Sequence, residues 1–225
     1  MKKRYLVISV LLACLLIGAG AFAETASFRL GAGAVGSKAT FEDDRVSTAL
    51  GYELTGKLWF EQLPQLTVTG AYSSQDGKGK IGDTELDLGT LTSFSLDAEY
   101  RVYNETNYGF ALNAGWLNSG VTAPTEDAER EASNFLSVGG SGNYVLTEGL
   151  QAVAGANYVF NNLTKKDDEE EDVAAINTKL GLEYEFAQVP GLQAGAYFTA
   201  AKSATDDEEP VQYGFNLGAS YALSF

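Results

Sequence analysis

The 225-residue chain has no histidine, and its single cysteine, Cys14, lies in an apolar run near the N-terminus. The first absence removes the commonest general base and the commonest metal ligand. The second leaves the rest of the chain without a disulfide framework. Basic residues are scarce as well: fifteen lysines and arginines stand against thirty aspartates and glutamates, a net charge of −15. A chain this acidic has no electrostatic footing for nucleic acid. Past residue 23 no apolar run approaches the roughly 20 residues that a transmembrane helix requires, so a helical membrane protein is excluded too.

What is present starts with a leader. Met1-Lys2-Lys3-Arg4 is followed by an apolar stretch over residues 5–17 and by Gly18-Ala19-Gly20-Ala21-Phe22-Ala23 before Glu24. A charged n-region, an apolar h-region and an A-x-A site read as a cleaved signal peptide over residues 1–23, leaving one domain over 24–225. Two other readings compete. Leu11-Leu12-Ala13-Cys14 has the look of a lipoprotein box, although mostly apolar residues follow Cys14 where a polar tether belongs. An uncleaved anchor over residues 5–23 is nearly long enough to span a bilayer. All thirty acids follow residue 23 and three of the bases precede it, so cleavage takes the net charge to −18.

The rest is organised around residues 211–225. Val211, Tyr213, Phe215, Leu217, Ala219, Tyr221, Leu223 and Phe225 alternate with Gln212, Gly214, Asn216, Gly218, Ser220, Ala222 and Ser224. Strand side chains point alternately to opposite faces, so such a strand separates a greasy medium from a wet one. Nine further stretches share this period, at about 25–38, 45–60, 66–73, 86–103, 108–116, 132–146, 150–160, 176–186 and 192–198. The sixth is weakened by Gly139, Gly140 and Gly142. Four short turns fall after even-numbered strands, and five longer connections fall after odd-numbered ones, the second of them opening at Asp76-Gly77-Lys78-Gly79-Lys80. Aromatic residues gather near both ends of the strands, and the apolar face between them carries no charge. A soluble barrel would show the opposite arrangement, apolar inside and charged outside.

The terminal aromatic residue with alternating apolar positions before it resembles the C-terminal strand of bacterial outer-membrane β-barrels. With the leader and the turn pattern, the chain is similar throughout to small outer-membrane barrels of the OmpA/OmpX kind, without a motif that selects one family. The resemblance implies an all-β transmembrane antiparallel up-and-down barrel of ten strands, or of eight if the glycine-rich strand and a neighbour are misread. It implies a monomer in the bacterial outer membrane with both termini in the periplasm. It also implies that Tyr221, Leu223 and Phe225 form a signal for the barrel-assembly machinery.

Nine charges fall on the inward parity: Arg29, Glu53, Lys57, Asp97, Glu99, Arg101, Lys179, Glu183 and Glu185. A salt-bridged network of these closing a narrow lumen is the first expectation, since ten strands leave an interior far nearer to packed side chains than to an aqueous pore. The second is a narrow path for small hydrophilic solutes, with the charges as its constriction. The long connections hold twenty of the thirty acids, including Asp167, Asp168, Glu169, Glu170, Glu171 and Asp172. These keep the outer surface hydrated. Alternatively they bind divalent cations weakly, although none has the spacing of an EF-hand loop. No cofactor motif is present. Outer-membrane proteases, phospholipases and acyl-editing enzymes resemble one another in using a histidine base, which this chain lacks. Asp97 and Glu99, two apart on one strand, suit the lumen network better than acid–base chemistry. The function read from the sequence is therefore a non-enzymatic barrel with a structural or surface-interaction role, or else a narrow channel.

Overall fold

A computed structural model describes residues 26–41, 45–125, 128–161, 174–205 and 210–223. The expected leader, the acidic runs at 42–44, 167–172 and 206–209, and Phe225 lie outside these residues. The elements are β1 (Ala26–Thr40), β2 (Val46–Phe60), β3 (Leu63–Ile81), β4 (Thr84–Asn104), β5 (Tyr108–Thr122), β6 (Arg130–Thr147), β7 (Leu150–Phe160), β8 (Ala174–Glu185), β9 (Leu192–Ser203) and β10 (Gln212–Leu223). Each strand is antiparallel to its sequence neighbours, and β1 pairs with β10 from Phe28↔Leu223 to Ala39↔Gln212, closing the barrel. The ten-strand reading holds and the eight-strand one falls. The glycine-rich β6 runs its full length, paired with β5 from Tyr108↔Tyr144 to Thr122↔Arg130.

The alternation dictates this closure. In lipid an open sheet edge would leave a row of unpaired N–H and C=O groups, so a strand that faces lipid on one side must have partners on both edges. The apolar set faces outward, with Leu30 43%, Leu180 60% and Leu217 53% exposed. Among the described residues no large side chain is fully buried. A single-layered wall has no second layer to cover its apolar face, and the membrane takes that role. Aromatic pairs mark two levels on the wall. Tyr52–Tyr72 at 6.3 Å, Phe94–Trp116 at 5.7 Å and Phe198–Tyr213 at 5.8 Å lie toward the loop end. Tyr103–Tyr108 at 5.5 Å and Tyr184–Phe186 at 4.9 Å lie toward the turn end.

One expected loop is not a loop. The stretch from Asp76 to Lys80 continues β3, which pairs with β2 as far as Val46↔Lys80 and with β4 as far as Ile81↔Thr84. Only Gly82-Asp83 connects them, with Gly82 at φ 58°, and glycine first in a two-residue connection is the type II′ hairpin pattern. A bulge sits lower down: Gly77 pairs with Gly89 and Lys78 with Asp87, so Leu88 has no partner of its own. Gly89, at φ 83°, supplies the left-handed backbone there, and its N–H donates to Asp87 Oδ1 at 2.8 Å. The hairpin and the long β5 and β6 make the wall taller on that side than over β7 to β10.

Candidate functional site: the lumen constriction

Inward positions are odd-numbered on β1 to β9 and even-numbered on β10, and they line a cavity of about 560 Å³ inside the barrel. Of the nine expected charges, eight line it: Arg29, Glu53, Lys57, Asp97, Glu99, Arg101, Lys179 and Glu183. Glu185 does not. It is exposed at the end of β8, and its N–H donates to Gly149 O across the turn.

The charges form two levels. Glu53, Asp97 and Lys179 lie four residues along β2, β4 and β8 from Lys57, Arg101 and Glu183, which is about 13 Å along a strand. The level nearer the turns is organised by Glu183, which accepts hydrogen bonds from Gln151 Nε2 at 2.7 Å, Gln193 Nε2 at 3.0 Å and Tyr197 Oη at 2.7 Å. Behind Gln193 stands Arg29, whose Nη1 donates to Gln193 Oε1. Behind Gln151 stands Asn143, whose Nδ2 donates to Gln151 Oε1 at 3.2 Å. On the opposite wall Ser141 Oγ donates to Glu99 Oε2 at 2.9 Å. Lys57 feels the charges of both Glu99 and Glu183 from across the lumen. At the turn end, Trp59 takes two cations on its ring, Arg29 Cζ at 5.5 Å and Lys57 Nζ at 5.4 Å. Such contacts each contribute on the order of 0.5–2 kcal/mol.

The level nearer the loops is looser. Asn216 Nδ2 donates to Glu53 Oε1, and Asn113 Nδ2 donates to Asn157 Oδ1 at 2.9 Å. Asp97 accepts from Ser95, two residues along its own strand. The Lys179 ammonium lies 3.9 Å from the Tyr197 ring centroid, within the field of Glu53 and Asp97.

The expected salt bridges are replaced by amide-mediated contacts. Among the described residues no direct ion pair joins the lumen charges. Register is the reason: the residues beside Glu183 on the neighbouring strands are Gln151 and Gly195, and beside Arg29 they are Lys57 and Ala222. Opposite charges therefore reach each other only through side chains between them. Gln193 is such a spacer, accepting from the guanidinium and donating to the carboxylate. A half-buried carboxylate is tolerable when hydrogen-bonded, whichever donors supply the bonds.

Sequence reasoning missed these donors, Ser141, Asn143, Gln151, Gln193, Tyr197 and Asn216. The signal was available, since all occupy inward parity, but attention to charge passed over neutral amides. Of the residues expected to form the assembly signal, Tyr221 and Leu223 lie outward and at the end of β10, paired with Leu30 and Phe28.

A closed ten-stranded antiparallel barrel, apolar outside and polar within, is the fold of bacterial outer-membrane β-barrels. The β domain of the Bordetella autotransporter BrkA shares it at TM-score 0.52 and 11% identity, over 87% of this chain and 99% of that one. The translocator domain of the autotransporter NalP from Neisseria meningitidis matches at TM-score 0.48 and 11% identity, over 97% of each chain. The outer membrane protease OmpT from Escherichia coli matches at TM-score 0.42 and 12% identity, over 88% of this chain and 96% of that one. No protein-family model matches the chain, and no curated protein does.

Proposed function

We propose that the chain is a monomeric, non-enzymatic barrel of the bacterial outer membrane, with its short turns and both termini in the periplasm. Its lumen is closed near the turns, and its role is a structural or surface-interaction one at the loop end. The observation that carries this reading is the convergence of Gln151, Gln193 and Tyr197 on Glu183, with Arg29 and Asn143 behind them. A ring of short hydrogen bonds over five strands narrows the lumen where Trp59 and its two cations already fill it. The non-enzymatic part is supported by the missing histidine, and by Asp97 and Glu99 already being held by Ser95 and Ser141. The outward tyrosine and leucine near the end of β10 support a partner role for the barrel-assembly machinery. The acid-rich connections leave room for weak divalent-cation binding.

A second reading has its own observation. The cavity of about 560 Å³ passes through both charge levels, which favours a narrow path for small hydrophilic solutes. Single-channel conductance of the refolded barrel in a planar bilayer separates the two. A closed lumen gives silence in the unmodified protein and stepwise leakage in Glu183→Ala, where three donors lose their acceptor. Steady conductance in the unmodified protein overturns the closed reading in favour of the path.

A further inference from the structure

Ten basic residues lie within the described segments, and they divide sharply. Arg29, Lys57, Arg101 and Lys179 point into the lumen. The other six, Lys38, Arg45, Lys78, Lys80, Arg130 and Lys202, are exposed at the loop end of the barrel. The turn end has none: its connections at 61–62, 105–107, 148–149 and 186–191 carry Glu61, Glu105 and Glu148 and no base. In a chain with a net charge of −15, an axial division this complete calls for a partner.

Parity gives the direction in which the loop-end bases face. Lys38 shares its face of β1 with the lipid-facing Leu30, Lys78 its face of β3 with Tyr72, and Lys202 its face of β9 with Phe198. No register shift intervenes on these stretches of β1, β3 or β9 along the seams that join them. All three therefore stand on the outer wall, above the membrane-facing aromatics and not within the loops. Lys38 is directly opposite Tyr213 on β10 and opposite Thr48 on β2, and Thr48 is opposite Lys78 on β3. Tyr213 is opposite Ala200 on β9, two residues below Lys202. The sequence around the wall is thus Lys202, the girdle residue Tyr213, Lys38, Thr48 and Lys78, with lysines two strands apart, about 9–10 Å.

The acids facing this band are confined to one flank. Asp76 shares the face of Lys78, while Asp87 and Glu85 lie opposite Lys78 and Lys80. Among the described residues neither Lys78 nor Lys80 makes an ion pair with them. Asp76 and Asp87 instead accept from Thr90 Oγ1 and the Gly89 N–H. On β9, β10, β1 and β2 no described outward acid balances Lys202 and Lys38.

We propose that this outward band, through Lys202, Lys38 and Lys78, binds the phosphates of anionic lipid headgroups in the leaflet at the loop end. The height fits, because the band sits one step above the girdle at which tyrosine and phenylalanine meet the headgroup region. So does the charge, because lysines on the wall reach phosphate while the acidic connections stay in water. The proposal is independent of whether the lumen is open or closed.

Spin-labelled lipids test it. The refolded barrel in phosphatidylcholine vesicles is probed with spin-labelled phosphatidylglycerol and spin-labelled phosphatidylcholine at matched low mole fraction, and the ratio of immobilised label is read. Net charge alone predicts exclusion of phosphatidylglycerol, a ratio below one. The lysine band predicts a ratio of about two to five, in line with what a base near an anionic surface contributes. That ratio falls to one or below in Lys38→Gln/Lys78→Gln/Lys202→Gln and is retained when the same three become arginine. Should the triple glutamine variant not refold, the single variant Lys38→Gln gives the same readout at an exposed position. A ratio of one or less in the unmodified barrel, or one that survives the glutamine substitutions, overturns the proposal.

Discussion

Glu183 shows how one buried carboxylate orders a lumen without touching a cation. Three donors from two neighbouring strands converge on it, and Arg29 acts through the Gln193 amide. Replacing it with glutamine keeps its shape and puts an amide N–H₂ against the donors already pointing at that site. The expected loss is about 1–3 kcal/mol, the usual cost of an unsatisfied buried partner, read as a lower urea midpoint of the refolded barrel. Trp59→Ala removes the surface on which Arg29 and Lys57 both rest. That leaves two cations directly opposite each other on β1 and β2 with nothing between them, and ~1–3 kcal/mol is expected to go with it. At this scale the sequence was half legible. Parity placed eight of nine charges in the lumen, because a period of two needs no knowledge of neighbours. Which side chain meets which depends on register between strands far apart in sequence, and that information is absent from any one strand. The amides were therefore invisible, and salt bridges were expected where Gln193 and Gln151 stand.

The β3–β4 hairpin teaches a different lesson about strands. Asp76-Gly77-Lys78-Gly79-Lys80 has the composition of a loop, yet it is paired on both sides. Alternation of apolar and polar residues reports the two media beside a strand, not the strand itself. Above the bilayer both media are water, so the outward residues become Asp76, Lys78 and Lys80 while the backbone ladder continues. The same reason extends β6 beyond its expected start to Arg130, whose guanidinium donates to Thr92 Oγ1 at 2.7 Å and Thr92 O at 3.1 Å across β5. Trypsin checks the hairpin, since a protease needs an extended, unpaired segment in its cleft. Lys78 and Lys80 are expected to resist cleavage in the folded barrel and to be cut after denaturation. Within the membrane the two faces of one strand respond oppositely. Leu180→Arg, at a lipid-facing position of β8, is expected to cost about 2–4 kcal/mol. Asn177→Arg, which points into the cavity, is expected to change stability far less. Equal losses by denaturant titration would mean that the assignment of faces on β8 is wrong.

For the whole molecule the decisive contact joins the two ends of the described chain. The β1–β10 seam runs for twelve register pairs, and without it β1 and β9 would each present an unpaired edge to lipid, which no neighbouring side chain could satisfy. Tyr221 and Leu223 take part in that seam opposite Leu30 and Phe28, and they also belong to the pattern expected to recruit the assembly machinery. Two roles thus rest on the same residues, one thermodynamic and one of recognition. Tyr221→Ala/Leu223→Ala leaves every backbone hydrogen bond of the seam available and removes only side chains that face lipid. If the outward pattern is chiefly a recognition signal, the purified variant refolds into detergent micelles with nearly the yield of the unmodified chain, shown by heat-modifiable migration on a gel. Its folded population in the outer membrane of living cells then falls several-fold. If the pattern serves the seam alone, the two assays decline together. Deleting residues 212–225 supplies the reference for a lost seam, since it opens the barrel and should abolish refolding in micelles as well as in cells.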